Sequence, residues 1–290
     1  MELSEIQKQD YKNRLLDVFK ATIRFLDENE LTWWAYAGTA IGAVRHHGMI
    51  PWDDDVDIFM PYEDYSRLQH LTTEFEKTRL ELYVPFKGDY YCPYVKIADK
   101  YSTVSESECF KFVSGVWIDV FPLYKTNATK DMYWKYVEKY GKFYNCLQRG
   151  NMRFVGSELK RILTGFHLRT LVHWIATMTY YKVVYRRNMR KFQSFLCSIN
   201  DTNGHYYMYP YTYMHCLNLF PIEWFRSTID TKFEDFTVKI PIDNDKILTC
   251  LYGDYMTLPP LERRVSTHNF YYVNLQKHLT FDEIRQLVLE

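Results

Sequence analysis

Apolar residues recur at helical spacing from residue 5 to 28, and Leu15, Phe19, Ile23 and Leu26 fall on one face, which predicts an amphipathic helix. The pattern then contracts into short runs. WWAYA (33–37) predicts a buried strand ended by Gly38. DVDIFM (55–60) predicts a second strand, stopped by Pro61, which can also open the helix that follows. That helix carries Tyr65, Leu68, Leu71 and Phe75 on its apolar side. Further strand-like runs are LELYV (80–84), YVKIA (94–98) and VWIDVF (116–121).

From residue 129 the helical period returns. Tyr133, Val137, Tyr140, Phe143, Tyr144 and Leu147 line one face of a helix over 129–148, and 158–199 reads as mostly helical. The end is mixed again, with FTVKI (236–240) as a strand, a short helix near 243–251, and the turn-rich YGDYMTLPP after it. These changes of period mark a core over about 1–125, a helical region over 126–205, and a part over 206–290 that returns to the core. With no repeat and no low-complexity linker, the chain reads as one integrated unit of α/β (α+β) class, a mixed-sheet core with an added helical region.

Composition narrows the function. A chain of 290 residues that is 47% hydrophobic has ample material for a core. Its 36 basic and 36 acidic residues cancel, which argues against a general nucleic-acid binder. The N-terminus, MELSEIQKQDYKNR, has no apolar h-region and predicts no signal peptide. The uncharged stretch TLVHWIATMTYY (170–181) is shorter than the roughly 20 residues that a bilayer requires. Six scattered cysteines without a CxxC pair predict reduced thiols in the cytoplasm and no zinc site. Charge is nevertheless uneven. Residues 158–192 hold eight Lys/Arg against one acid, and Trp174, Tyr180, Tyr181 and Tyr185 alternate with Lys182, Arg186 and Arg187. This is either a solvated helix face or an interfacial helix in peripheral contact with the inner face of an anionic membrane or with a lipid-linked acceptor.

The opposite extreme is PWDDDVD (51–57), four acids in seven residues, with no Lys or Arg between Arg45 and Arg67. In a strand, D-V-D puts Asp55 and Asp57 on one face with Val56 and Ile58 on the other. Two carboxylates so close repel unless a divalent cation sits between them. Asp53 and Asp54 lie at the strand entrance as further ligands or helpers, and Asp119, embedded in VWIDVF, is the natural third carboxylate, because a charge there is costly unless paired or metal-bound. An EF-hand loop counted from Asp53 fails, since its sixth residue is Ile58 rather than Gly and its twelfth is Asp64 rather than Glu. The remaining alternative is a solvated acidic turn.

A strand, a Gly38-Thr39 turn, a helix and a strand bearing DxD follow the plan of the nucleotidyltransferase fold. YAGTAIGAVRHHGMIPWDDDVDIFMPYEDY (36–65) resembles the signature of the LicD family of phosphocholine transferases and their fukutin-type ribitol-phosphate relatives. YVKIADK (94–100), GVWIDVFPL (115–123) and YGDYMTLPPLERR (252–264) with His268 follow in the family's order. The chain departs from it with Ala37-Gly38 where Gly-Gly is common and His47 where Lys is common. The resemblance implies transfer of a phospho-alcohol, choline favoured, from a CDP-activated donor such as CDP-choline to a sugar hydroxyl of a cell-surface glycan precursor, with release of CMP. It implies Mg²⁺ or Mn²⁺ as cofactor, in a two-metal site of the kind whose ions stand about 3.5–4 Å apart.

Asp55, Asp57 and Asp119 are the expected catalytic residues and, with Asp53, the metal ligands. Gly38, Thr39, Arg45 and Lys96 are candidates for the donor. An Arg suits phosphate, and a Lys on an apolar strand must snorkel or pair; Asp99 is a candidate partner for Lys96 or Lys100. His46, His47, Asp254, Arg264 and His268 are further candidates, and for the C-terminal ones a structural clamp with Gly253, Glu262 and Arg263 is the competing reading. Two rival functions stay open: a nucleotidyltransferase that uses NTP and releases pyrophosphate, and a non-catalytic glycan-binding protein that retains the fold.

Overall fold

A computed structural model of the chain describes residues 3–153, 168–212, 216–266, 268 and 270–289. Helix α1 (Glu5–Glu28) opens on a capping box, in which the Ser4 side chain accepts from the Gln7 amide and the Gln7 side chain from the Ser4 amide. Its stripe of Tyr11, Leu15, Val18, Phe19, Thr22, Phe25 and Leu26 is buried, and the helix packs on the sheet. The first six strands are β1 (Trp34–Ala35), β2 (Asp57–Pro61), β3 (Leu80–Tyr83), β4 (Val95–Asp99), β5 (Thr103–Ser105) and β6 (Trp117–Thr126). The main sheet is ordered β1-β2-β6-β4-β3, and β7 (Tyr206–Met208) joins the far end of β6, with β8 (Leu219–Pro221) beside β7. Strands β2 and β6 run parallel and their other neighbours antiparallel, so the sheet is mixed, as the sequence predicts.

Alternation divides the sheet into two faces. Val56, Ile58, Met60, Val95, Ile97, Ile118 and Val120 form one core with Leu15, Val18 and Phe19 of α1. On the other face Trp34, Phe59 and Leu123 pack with Tyr207, Tyr209, Phe220, Phe225, Ile247 and Leu251. The C-terminal part thus covers the face opposite α1, and Phe233, Val238, Ile240 and Leu248 also enter the first core. A third cluster joins α5 (Lys130–Asn151), capped by the Thr129 side chain, to the helix Leu168–Ile199 through Tyr140, Leu147, Phe192 and Leu196.

The element boundaries differ from the sequence reading in instructive places. The strand expected at 33–37 narrows to Trp34–Ala35, and Gly38 lies inside the helical turn α2 (Ala37–Ile41), which continues as a π-helical turn Gly42–His46. The second strand begins at Asp57, not Asp55, and includes Pro61, whose missing N–H is tolerated at a strand end. The following helix is interrupted at Gln69 and His70 into α3 (Tyr62–Leu68) and α4 (Thr72–Glu76), because tight bonds from His70 to Arg67 and from Leu71 to Leu68 close a turn there. The helix predicted over 158–199 is described from Leu168 onward; residues 158–167 lie outside the described residues. The predicted strand 236–240 is half of a hairpin, β9 (Thr228–Phe233) with β10 (Phe236–Pro241).

Candidate active site

Register builds the centre of the site. Asp57 stands opposite Asp119 across the parallel pair β2–β6, and Asp119 stands opposite Lys96 across β6–β4. The three side chains therefore form one row on the face opposite α1. Lys96 is 1% exposed; its Nζ lies 3.5 Å from Asp119 Oδ1, 3.8 Å from Glu106 Oε2 and 3.5 Å from the Trp117 ring centre. Of the two fates expected for this lysine, snorkelling or pairing, it pairs. Burial disfavours its ammonium, but Asp119 and Glu106 outweigh that and hold its pKa above the ordinary value. The Asp119 pair is loose: among the described residues Oδ1 is buried and accepts no hydrogen bond. Burial raises the Asp119 carboxyl to about 6 despite Lys96.

The acidic run enters this row from the loop before β2. The Thr39 hydroxyl accepts from the Asp57 amide at 2.9 Å, and the Asp119 amide donates to the Val56 carbonyl at 2.9 Å, which fixes both polar groups of the peptide that leads into Asp57. Asp53, Asp54 and Asp55 each offer a carboxylate oxygen within 4.8 Å of the others'. Burial and then the charge of Asp55 raise Asp53 to about 8, and the two carboxyls share a hydrogen bond. Asp55 is raised by burial although His268 opposes the shift, and Asp57 is raised well above the usual range by burial and then by Asp55 and Asp119. In this set of carboxylates burial first, and mutual repulsion after it, favours the protonated form. Gly38 makes room for it: a Cβ there would run into the Asp53 carboxylate.

The remaining candidates separate into those near the acidic run and those that brace it. His268 Nδ1 lies 2.9 Å from Asp54 Oδ1, its Nε2 is 4.0 Å from Asp55, and Ser266 Oγ also bonds Asp54. Burial lowers the imidazole pKa, but the Asp54 bond and the Asp55 and Asp54 charges prevail and raise it to about 9. Arg45 donates to the carbonyls of Tyr255 and Thr257, and its pKa is lowered by burial and by neighbouring Arg264. Arg264 donates to the Pro259 carbonyl at 2.8 Å and lies over Trp52. His46 takes a 3.4 Å bond from Arg45 and meets Trp52 edge-on. His47, at φ 54°, accepts from the Glu234 amide at the β9–β10 turn, and Glu234 also accepts from Met49. Asp254 is spent locally on Thr257, after the left-handed Gly253.

Asp99 does not pair with Lys96 or Lys100. It is fully buried between Arg14 at 3.1 Å and Arg79 at 2.9 Å, while Lys100 donates to the carbonyls of Phe75 and Thr78. On β4 it lies beyond the active row, where α1 and the Arg79 turn reach it. Glu106, with Tyr91 donating to it at 3.0 Å, belongs to the site and is missed by the sequence reading, because SES (105–107) carries no period or motif that points inward. A cleft of about 370 Å³ lined by Asp27, Thr32, Trp33 and Lys239 contains none of these residues.

Comparison with known proteins gives a consistent picture. Residues 30–157 match the model of the LicD/FKTN/FKRP nucleotidyltransferase domain. The chain is 24% identical over 260 residues, 88% of its length and 92% of the other's, to the lipopolysaccharide cholinephosphotransferase LicD of Haemophilus influenzae. It is 43% and 40% identical over 63 residues to uncharacterized proteins of Rickettsia prowazekii and Rickettsia typhi, and that stretch spans only 24% and 20% of those proteins.

Proposed function

We propose, from the match of residues 30–157 to the LicD/FKTN/FKRP nucleotidyltransferase domain, that the chain is a transferase moving phosphocholine, or a related phospho-alcohol, from a CDP-activated donor to a sugar hydroxyl of a cell-surface glycan such as lipopolysaccharide. The observation that carries this is the Asp57–Asp119 register match beside the Asp53–Asp55 cluster, inside the matched segment.

The acidic group suits a hard divalent cation, Mg²⁺ or Mn²⁺: one buried Asp119 oxygen accepts no hydrogen bond among the described residues, and neighbouring carboxyls hold protons that a cation would displace. Asp53, Asp55, Asp57 and Asp119 are the proposed ligands. Bound there, the cation supplies neutralisation of charge developing on the phosphoryl oxygens. The chain's own residues do the rest. Asp119 is the proposed acceptor of the attacking hydroxyl's proton, and the Lys96 ammonium 3.5 Å away favours its ionised form. Arg45 and Arg264, adjacent guanidinium groups, are the basic pair offered to the donor diphosphate. The hydroxyl oxygen bonds to the phosphorus that carries the alcohol, the diphosphate P–O bond breaks, and CMP leaves with that electron pair.

The test is CMP release from CDP-choline, CDP-ribitol, CDP-glycerol and CDP-ethanolamine with Mg²⁺ and glycan acceptors. Release from at least one supports the reading. Pyrophosphate from an NTP with no CMP from any CDP-alcohol replaces it with nucleotidyl transfer. Cation binding without any turnover replaces it with the non-catalytic reading.

A further inference from the structure

Lys96 places a buried ammonium almost midway between two carboxylates. Its Nζ stands 3.5 Å from Asp119 Oδ1 and 3.8 Å from Glu106 Oε2, whereas a charge-assisted N–H···O bond is about 2.7–2.9 Å long. The chain forms closer pairs where a charge is fixed: buried Asp99 is held at 2.9 Å by Arg79 and at 3.1 Å by Arg14. The Trp117 ring centre lies 3.5 Å from the same ammonium and closes one side of it. The two carboxylates are held differently. Asp119 is buried on β6. Glu106 is partly exposed and directly follows β5, whose Ser105 accepts from the Tyr271 amide at 2.8 Å and pairs with Tyr272 of the C-terminal strand Tyr272–Asn274. The Tyr91 hydroxyl donates to Glu106 Oε2 at 3.0 Å, and the Tyr91 ring is stacked on Phe110 at 4.0 Å. Glu106 is therefore anchored by bonds that do not involve Lys96.

An ammonium and a divalent cation compete for one carboxylate. They are like charges, and in a buried setting their repulsion is screened far less than in water. In the metal-free chain Lys96 supplies the counter-charge of Asp119. When Asp119 ligates a cation, the ammonium, only 1% exposed, has no route to water and a buried charge left without a partner is costly. Glu106 offers that partner within 3.8 Å, a distance that a rotation of the flexible lysine stem covers.

We infer that Glu106 is a positioning residue that takes the Lys96 ammonium from Asp119 when Asp119 ligates the cation. The inference rests on the cation assignment above and is independent of the donor. Calorimetry with Mg²⁺ and Mn²⁺ on the wild type, Glu106→Gln, Lys96→Met and the double variant tests it, with metal-free melting curves to identify any variant that fails to fold. Glutamine keeps an acceptor for Tyr91 and removes the charge. Glu106→Gln is expected to bind the cations about tenfold more weakly, because the ammonium then stays on Asp119. Lys96→Met should bind them at least as tightly as the wild type, and in that background the loss from Glu106→Gln should shrink below about twofold. Equal losses in both backgrounds would show that Glu106 acts on the cation itself. No loss from Glu106→Gln alone would show that the ammonium does not depend on it. Either outcome overturns the inference and leaves the cation assignment standing. Should Lys96→Met fail to fold, wild-type crystals soaked in Mn²⁺ decide: Nζ is expected within hydrogen-bond distance of Glu106 Oε2 and farther than 3.5 Å from Asp119, and an ammonium still beside Asp119 overturns the inference. Binding of neither ion by the wild type overturns the cation assignment and the inference with it.

Discussion

Asp57 and Asp119 face one another across two parallel strands, and each is raised in pKa by burial and by nearby carboxylates. Neutralising one carboxylate relieves repulsion in the metal-free fold and removes a ligand from the loaded one. Asp57→Asn and Asp119→Asn are therefore expected to lower CMP release by at least about 10²-fold, the scale of one lost electrostatic contact to a transition state. Their metal-free melting temperatures should hardly fall, because Glu106 still faces Lys96 when Asp119 is neutral. Asp64→Asn is the control: its carboxylate, on α3, accepts from the Thr32 amide and from exposed Arg67, and asparagine retains an acceptor. Near-normal turnover in both site variants would remove the metal assignment. The same residues set a pH dependence. His268 titrates near 9 in the folded chain against about 6.5 unfolded, and Asp53 near 8 against about 3.9. Both bind protons more tightly when folded, so each contributes stability that is lost as pH rises through its folded value. Metal-free protein should melt at progressively lower temperature from pH 6.5 to 9, and His268→Gln should flatten the upper part of that decline. A melting temperature that rose across this range would show that the cluster is not protonated as described.

At the scale of elements, the segment Tyr36–Asp57 shows what local pattern reveals and what it hides. The strands carrying Asp57, Lys96 and Asp119 are legible because a short apolar run with a single embedded charge fits little besides a buried strand that presents that charge to a partner. Alternation places Asp55 inside the strand, whereas Asp57 is the first strand residue and Asp55 belongs to the loop. Period-two reasoning fixes a face but not an end. Gly38, a donor candidate from the sequence, sits in a helical turn against Asp53, a relation between residues fifteen apart that no local window contains. Ala37, in the position where the resembling family often has glycine, takes φ 48°, a left-handed value that glycine adopts without steric cost. Gly38→Ala tests the role of the close approach. Alanine is favoured over glycine in a helix by up to about 1 kcal/mol, and only the end of the Asp53 side chain has to move, so the fold should hold. The displaced carboxylate should weaken Mg²⁺ or Mn²⁺ binding about tenfold or more in calorimetry. Unchanged cation affinity in a folded Gly38→Ala protein would show that Asp53 is not a ligand.

Across the whole molecule, the site is assembled from both ends of the chain, and the helical region lies on its own core. Ser266 and His268 close over Asp54, Arg45 ties to the Tyr255 and Thr257 carbonyls, and the β9–β10 turn holds His47 and Met49. The resemblance noted in the sequence orders YGDYMTLPPLERR (252–264) and His268, but the bonds of this C-terminal part are not legible in the sequence, since partners 185 to 214 residues apart leave no periodic trace. The helix Leu168–Ile199 makes a different demand. Its inner side packs Phe192, Phe195 and Leu196 against α5, while Val172, Ile175, Tyr180 and Val183 are exposed along successive turns, together with Arg186, Arg187 and Arg190. No described helix is long and apolar enough to cross a membrane. An exposed apolar stretch followed by arginines on the same helix face suits a helix that lies in the headgroup layer, where aliphatic side chains enter the acyl boundary and arginines meet anionic lipid. That position would suit a transferase whose acceptor is lipid-linked. Co-sedimentation with vesicles containing anionic lipid is expected to capture the protein at low salt, with capture falling as salt screens the arginines. Val183→Asp combined with Arg187→Gln should reduce capture several-fold while leaving CMP release with a soluble acceptor intact. Equal capture by neutral and anionic vesicles, or none by either, would leave this helix a solvated face and separate acceptor recognition from membrane contact.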